Sequence, residues 1–573
     1  MTALPDSSTT FVVVNVLFLG LLAILSLFAG TYIYTTVRFH GDSSHFTNAT
    51  DGNKLRPPHL PIAIPWVGNA LSFLSTKPHK FWTEVFSWYP RSAGTFRMTL
   101  GGNQTAVIFN APAVEYILKD RKLGRDELNV QVTSNGLGLT RAESEMVYEH
   151  HTLPQPGEVP AHVEQDKTNV EYLLKTDRVN EMTAEFIDSL SQQVSAMFQE
   201  GCNEVNLFQW LRAVMFQAST KALMGQKILE VIPNLEELFF QFDQDMMSLF
   251  FGLPNFMVSK QVANRNRSVE ALVGWHEAVA SINKEVVDPE AQAWEPLYGS
   301  RINRARQIFY RKKNLPVRAR AALDLGMLFG ISSNAIPAAG WMLMHILDSM
   351  RPEKKAKDEL TLYEHIMSEV RQSQNADGSL NIPILTNQPI LLSTLHEVLR
   401  IYVDTLVSRK VERDMTLPLS HSSAADSKQE IEKYSPRSLF LKAGSMIMVP
   451  SWPSHTNPET WQSPSQPPPD EFYAYRFLTT SPSSEKPVFS TSPYAGMYFP
   501  FGGGKTICPG RVFAKQEILG SVAIMLLTFN FEVLGYVDEK GKNTTKFPGL
   551  RDTLPGSAVM VASGDLRVKV TRR

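Results

Sequence analysis

The sequence predicts a mainly α-helical body with small β-sheets, preceded by one N-terminal transmembrane helix. Three observations predict it: a 24-residue run without a charge near the start, several long apolar stretches at helical spacing, and β-like pieces that are all short. The chain has 573 residues, 43% of them hydrophobic and 20% charged, with a formal net charge of −1. That is an ordinary globular composition, and it offers none of the basic excess a nucleic-acid partner requires. Cys202 and Cys508 are the only cysteines, so there is no disulfide framework, and each thiol needs its own explanation.

Residues 1–10 read as a lumenal tail and Phe11–Tyr34 as the span, which as a helix is roughly 36 Å long and so crosses a bilayer. A cleaved leader is disfavoured because MTALPDSSTT carries no Lys or Arg. Arg38, Lys54 and Arg56 follow the span, which places the large C-terminal part in the cytosol, with the endoplasmic reticulum the expected membrane. Residues 35–65 read as a linker and stalk. Pro57, Pro58, Pro61 and Pro65 exclude a regular helix and make either a stiff spacer that fixes attitude or a plain linker.

From residue 66 to 573 one domain is expected. Its helices include Asn206–Gly225, Ala322–Leu347, Ile390–Val403 and Gly510–Phe529, and its β pieces include Thr105–Phe109 and Ser445–Pro450. The polar stretches Ser420–Gln429 and Ser463–Asp470 read as surface excursions. Leu238–Phe256 carries six phenylalanines and suits either the apolar roof of a substrate chamber or plain helical core. Sequons at Asn48, Asn103, Asn266 and Asn543 are expected to stay unmodified in a cytosolic body, and Cys202 is assigned no role.

FGGGKTICPG, Phe501 to Gly510, carries the chemistry. Gly504-Lys505-Thr506 imitates the end of a phosphate-binding loop, but the glycine such a loop needs five residues earlier is Phe499, and no buried strand leads in. Read instead around Cys508, the glycines let the backbone turn tightly beside the sulfur. The following helix then aims its positive dipole end at the thiol, and both effects favour a thiolate.

The loop resembles that of the cytochrome P450 family, Phe-x-x-Gly-x-Arg/His-x-Cys-x-Gly, at Phe501, Gly504, Cys508 and Gly510, with Thr506 at the basic position. The family's other landmarks stand upstream in order. Glu397 and Arg400, three residues apart, resemble its Glu-x-x-Arg motif, and Arg476 stands at its third member. Arg409 stands where the family places an arginine on a haem propionate. The family's Trp-x-x-x-Arg contact is missing, since no tryptophan lies between Trp88 and Trp210. Ser333 and Asn334, followed by Pro337, occupy the place of the oxygen-side acid and threonine. Asn three residues before Pro resembles the branch holding sterol 7α- and 12α-hydroxylases and prostacyclin synthase. Asn334 is expected either to relay protons at a helix opened by Pro337, with Ser332 and Ser333 as alternates, or only to support the kink.

The resemblance implies a haem-thiolate monooxygenase with haem b as cofactor and Cys508 as axial iron ligand. It further implies contacts to the haem from Arg409, Phe501, Gly504, Thr506 and Gly510, and a catalytic role for Ser333 and Asn334. The implied partners are a lipid membrane, an apolar small-molecule substrate (sterol, terpenoid, polyketide-derived or fatty) and a separate NADPH-dependent cytochrome P450 reductase, which Lys505, Arg511 and Lys515 would help dock. The alternative implied is a haem-thiolate isomerase or dehydratase that rearranges a peroxide without a reductase. A non-catalytic haem-binding protein comes third.

Overall fold

The computed structural model describes residues 7–48, 54–120, 123–124, 126–148, 159–197, 203–354, 360–419, 438–481, 484–504 and 507–573. Cys202, Lys505, Thr506 and the Ser420–Gln429 excursion lie outside the described residues. Two compact units form. One comprises residues 1–75, 79–124 and 407–453; the other comprises residues 76–78, 125–406 and 454–573.

In the first unit, one α-helix runs over Ser7–Asn48. Its apolar part, with side chains such as Leu17, Leu19 and Ile33, faces outward, and the stretch Val14–Phe46 has the length and mean hydropathy (2.3) to cross a membrane. The helix ends 14 residues beyond the expected span, so the stretch expected to begin the linker is instead helical and docked. Phe39 and Phe46 are buried, and Phe39 packs edge-on against Trp88 and Tyr89. Thr35 Oγ1 accepts from the Ile62 N–H at 3.1 Å and lies 3.0 Å from the Ile62 carbonyl, tying the helix to the proline-rich segment.

A separable anchor and a docked base predict different truncations. Removing residues 1–34 is expected to move the protein from the membrane pellet towards the supernatant with little change in melting temperature. Removing residues 1–48 strips Phe39 and Phe46 from the core as well, and at about 3–5 kcal/mol for a buried phenylalanine should lower the melting temperature sharply. Equal melting of the two forms would show that the helix base is not part of the fold.

The main sheet of this unit orders its strands Thr95–Leu100, Asn103–Ile108, Met446–Pro450 and Leu406–Lys410. The first two form a hairpin in full register, closed by Gly101 and Gly102 at φ +55° and +83°, angles a two-residue turn of this hand demands. Met446–Met448 then pairs in parallel with Thr105–Val107. Both expected β pieces are therefore strands of one sheet.

The second unit is a helical assembly around Val317–Asp348, which contains the expected Ala322–Leu347. It is long and apolar enough to cross a membrane, yet it is mostly buried, because helices Leu207–Met224, Ser259–Ile282, Pro389–Tyr402 and Arg511–Thr528 pack around it. A helix apolar on all sides is a core helix when neighbours surround it. The helix continues through Pro337 without interruption. Its neighbours at residues 335–344 are all buried, and this packing holds the helical path where the missing N–H would otherwise let it open.

In the phenylalanine-rich stretch, helix Leu235–Phe250 buries Phe239 and Phe242, with Phe239 stacked on Phe216 at 5.2 Å, whereas Phe256 beyond its end is exposed. A small sheet orders Asn543–Thr544, Phe529–Val537, Asp565–Arg572 and Asn203–Asn206. A two-residue antiparallel pair joins Val403–Asp404 to Ala558–Val559.

Candidate functional site

The Cys508 loop is built by backbone geometry before any side chain acts. Gly502 and Gly504 adopt φ +71° and +61°, which a side chain would strain. The Gly502 N–H donates to the Phe499 carbonyl at 2.9 Å, the Ile507 N–H to the Gly504 carbonyl at 3.2 Å, and the Cys508 N–H to the Phe501 carbonyl at 2.9 Å, so the chain folds back on itself at the thiol. Helix Arg511–Thr528 starts three residues after Cys508, with Gly510 as its N-cap. A Cβ at Gly510 would stand 3.9 Å from Cys508 Sγ, so glycine keeps the side of the sulfur open. Cys508 itself is a half-buried thiol.

The Glu-Arg-Arg set lies together and fully buried. Glu397 pairs with Arg400 through two bonds of 2.7 and 2.8 Å, and Arg476 Nε donates to the same carboxylate at 3.0 Å. Buried ions persist only when their remaining donors are also satisfied. Here the spare guanidinium N–H groups reach backbone carbonyls: Arg400 those of His455 and Pro469, at 2.8 and 2.6 Å, and Arg476 those of Trp461, Pro467 and Pro468. The two arginines thereby shape residues 455–471.

His455 joins this network to the thiol loop. Its carbonyl takes the Arg400 bond, and its Nε2 accepts from the Phe499 N–H at 3.1 Å, two peptides ahead of Phe501. Burial, with Arg400 beside it, pushes its pKa down to about 3, so the ring stays neutral and Nε2 stays an acceptor. Tyr498 fastens the same approach, its hydroxyl donating to the His396 carbonyl at 3.0 Å. Neither His455 nor Tyr498 was foreseen, since neither belongs to a spaced motif. The only signal was their place, in Trp452-Pro453-Ser454-His455 and just before Phe501.

The remaining predicted residues divide. Arg409 is buried on strand Leu406–Lys410 of the first unit, its Nη1 donating to the Ser408 carbonyl at 2.9 Å. Ser333 and Asn334 sit side by side on the central helix. Ser333 Oγ donates to the Phe329 carbonyl at 2.5 Å, Asn334 Nδ2 lies 3.3 Å from Ser333 Oγ, and Asn334 Oδ1 accepts from the Val559 N–H at 3.1 Å. The asparagine therefore also braces the C-terminal loop, which the kink reading did not anticipate. Ser332 Oγ is buried without a partner among the described residues. Arg511 is engaged at home, donating to the Cys508 carbonyl at 3.0 Å. Lys515 is half-buried, with its pKa lowered by that burial, and its Nζ lies 3.4 Å from the Thr386 carbonyl.

Among the described residues no three His, Cys, Asp or Glu side chains gather to hold a metal ion. A lone thiol at a helix start fits one axial ligand of a metal whose other donors arrive with a prosthetic group, which is the chemistry of haem. The cytochrome P450 family model matches residues 58–421 and 426–556. The chain belongs to the cytochrome P450 family. It is thus an oxidoreductase of the class that incorporates molecular oxygen, using haem with an axial cysteine thiolate. The chain is 25% identical to cytochrome P450 monooxygenase fsoE of Humicola fuscoatra over 92% of this chain and 89% of that one. It is 27% identical to cytochrome P450 monooxygenase efuG of Hormonema carpetanum, covering 88% and 89%. It is 23% identical to the human 7-alpha-hydroxycholest-4-en-3-one 12-alpha-hydroxylase, covering 83% and 87%, so the branch expected from Asn334 and Pro337 is among its relatives.

Proposed function

We propose that this protein is a membrane-anchored monooxygenase of the endoplasmic reticulum, with its body in the cytosol, that oxidises a largely apolar sterol, terpenoid, polyketide or lipid with electrons from a separate NADPH-dependent reductase. The observation that carries the reading is the Cys508 loop held by the Glu397, Arg400 and His455 network. The fungal and sterol-hydroxylating relatives support the substrate range. In this reading Cys508 would hold the iron through its sulfur, with Phe501, Gly504, Thr506, Gly510 and Arg409 as the further residues that would bind the haem. The haem supplies oxygen activation, and the thiolate donates electron density that favours O–O cleavage.

The protein's own part is positioning, dryness and proton supply. The helix dipole and the loop geometry favour the anionic sulfur. Ser333 Oγ donates to the Phe329 carbonyl and takes the Asn334 amide at 3.3 Å, so the pair would orient a water that supplies protons, with the hydroxyl as the group that can exchange one.

The test combines the purified full chain with reductase, NADPH and lipid extracts. Oxygenated product that forms with reductase, NADPH and O2 supports the monooxygenase; rearrangement of a lipid peroxide offered as the sole substrate, with no reductase-driven product, would establish the isomerase reading instead. Asn334→Leu should lower NADPH-driven product several-fold and peroxide-driven product less, with the carbon monoxide spectrum retained. Unchanged coupling of NADPH use to product would leave Asn334 only its bracing bond to Val559.

A further inference from the structure

A cavity of about 300 Å3 opens in the second unit between helix Leu235–Phe250, the central helix and the C-terminal segment that includes Arg551 and Val559. Phe329 and Ser333 line it from the central helix, so it belongs to the side of the candidate proton-handling residues. Eleven of its sixteen lining residues are polar or charged, far more than an apolar chamber needs.

Most of these polar groups are already used. Asp245 accepts from Asn264 at 2.7 Å, Asp552 pairs with Lys77 at 3.0 Å, and Ser333 bonds the Phe329 carbonyl. Asp243 and Arg551 differ: among the described residues neither side chain completes a hydrogen bond or contact ion pair, although each feels the other's charge and that of Arg212. Arg212 is itself occupied by Glu236, 3.6 Å away, and by the face of Phe240. Both side chains are half-exposed along the cavity, and their partial burial pushes Asp243 up to about 7 and Arg551 down.

A carboxyl and a guanidinium that line one cavity without completing a hydrogen bond to each other suit a ligand that offers the converse pair. A neutral hydroxyl donor beside a carbonyl acceptor satisfies both without altering the net charge of the site. A carboxylate would serve Arg551 but add a second anion beside Asp243.

We propose that Asp243 and Arg551 are specificity-determining residues that bind the polar end of the substrate, a neutral group presenting a hydroxyl donor next to a carbonyl acceptor, as in a hydroxyketone, on an otherwise apolar skeleton. The inference rests on the monooxygenase reading above and narrows its substrate class. The apolar remainder of the molecule lies along Phe329, Val559 and Val561.

The experiment titrates the haem-loaded full chain in membranes with three steroids of one ring system and follows the change in the Soret band. Deoxycorticosterone carries a ketol, progesterone a methyl ketone, and the third probe is the corresponding steroid carboxylic acid. The wild type should bind the ketol at least about tenfold tighter than either other probe, because a site built for a hydroxyl rejects the analogue lacking it. Asp243→Asn and Arg551→Gln should each erase most of that preference while moving progesterone much less. Equal binding of ketol and methyl ketone, preference for the acid, no response to any probe, or variants that weaken all three alike would overturn the proposal. The wild-type comparison decides even if a variant fails to fold. A wild type that lacks the thiolate carbon monoxide spectrum would instead overturn the monooxygenase reading itself.

Discussion

Cys508→Ser is expected to abolish the red-shifted Soret band of the reduced carbon monoxide complex and to take product formation below detection. A serine hydroxyl does not replace the thiol at the bottom of this loop, because an alcohol ionises many units higher than a thiol and offers the iron no thiolate donor. The backbone bonds of the loop involve no sulfur, so the fold should survive, with an unchanged far-UV spectrum and melting temperature. Cys202→Ser is the control and should keep the band. Should Cys508→Ser retain the band while Cys202→Ser loses it, the loop has been misassigned.

Glu397→Gln should have the second largest effect, on stability and haem retention together. The carboxylate stands between two guanidinium groups with no exposure on any of the three side chains. Removing its charge leaves two buried cations uncompensated, and losing one partner of a buried pair typically costs about 3–5 kcal/mol. The loss should reach the thiol loop, because Arg400 holds the His455 carbonyl and His455 holds the Phe499 N–H. We expect a melting temperature lower by several degrees and a small haem-loaded fraction in Glu397→Gln, with a smaller loss of both in Arg400→Lys, which keeps the charge but not the fork. Glu471→Gln should change nothing, since that residue contributes only its carbonyl to the arginines. A Glu397→Gln protein that melts and binds haem as the wild type does would show that the network is ornamental to the loop.

What the sequence disclosed follows from how local each signal is. The helices are announced by apolar spacing within one segment, so Val317–Asp348 and Pro389–Tyr402 fall close to expectation. Glu397 and Arg400 sit one turn apart and Cys508 lies in a glycine loop, so both could be read from neighbours alone. His455 could not, because its role exists only where Arg400 and Phe499 approach it from 55 and 44 residues away. The docked base of the anchor helix was hidden for a similar reason. Residues 40–48 are polar and read as linker, and only their neighbours Trp88 and Tyr89 disclose that Phe39 has a partner. The polar cavity escaped because the phenylalanines of Leu238–Phe256 are conspicuous in sequence, while Asp243 and its distant counterpart Arg551 are not.

Three consecutive prolines, Pro467 to Pro469, have no N–H to give, and all three of their carbonyls are taken by Arg400 or Arg476. The consequence is kinetic. A segment that can neither coil into a helix nor join a ladder is ordered only by side chains: Arg476 reaches Pro467 and Pro468 from within nine residues, but the Pro469 carbonyl must wait for Arg400, delivered by a helix 69 residues upstream. During refolding, residues 455–471 should gain protection from hydrogen exchange only after helix Pro389–Tyr402 has done so. The thiol loop, hung from His455, should be among the last parts of the molecule ready to receive its iron.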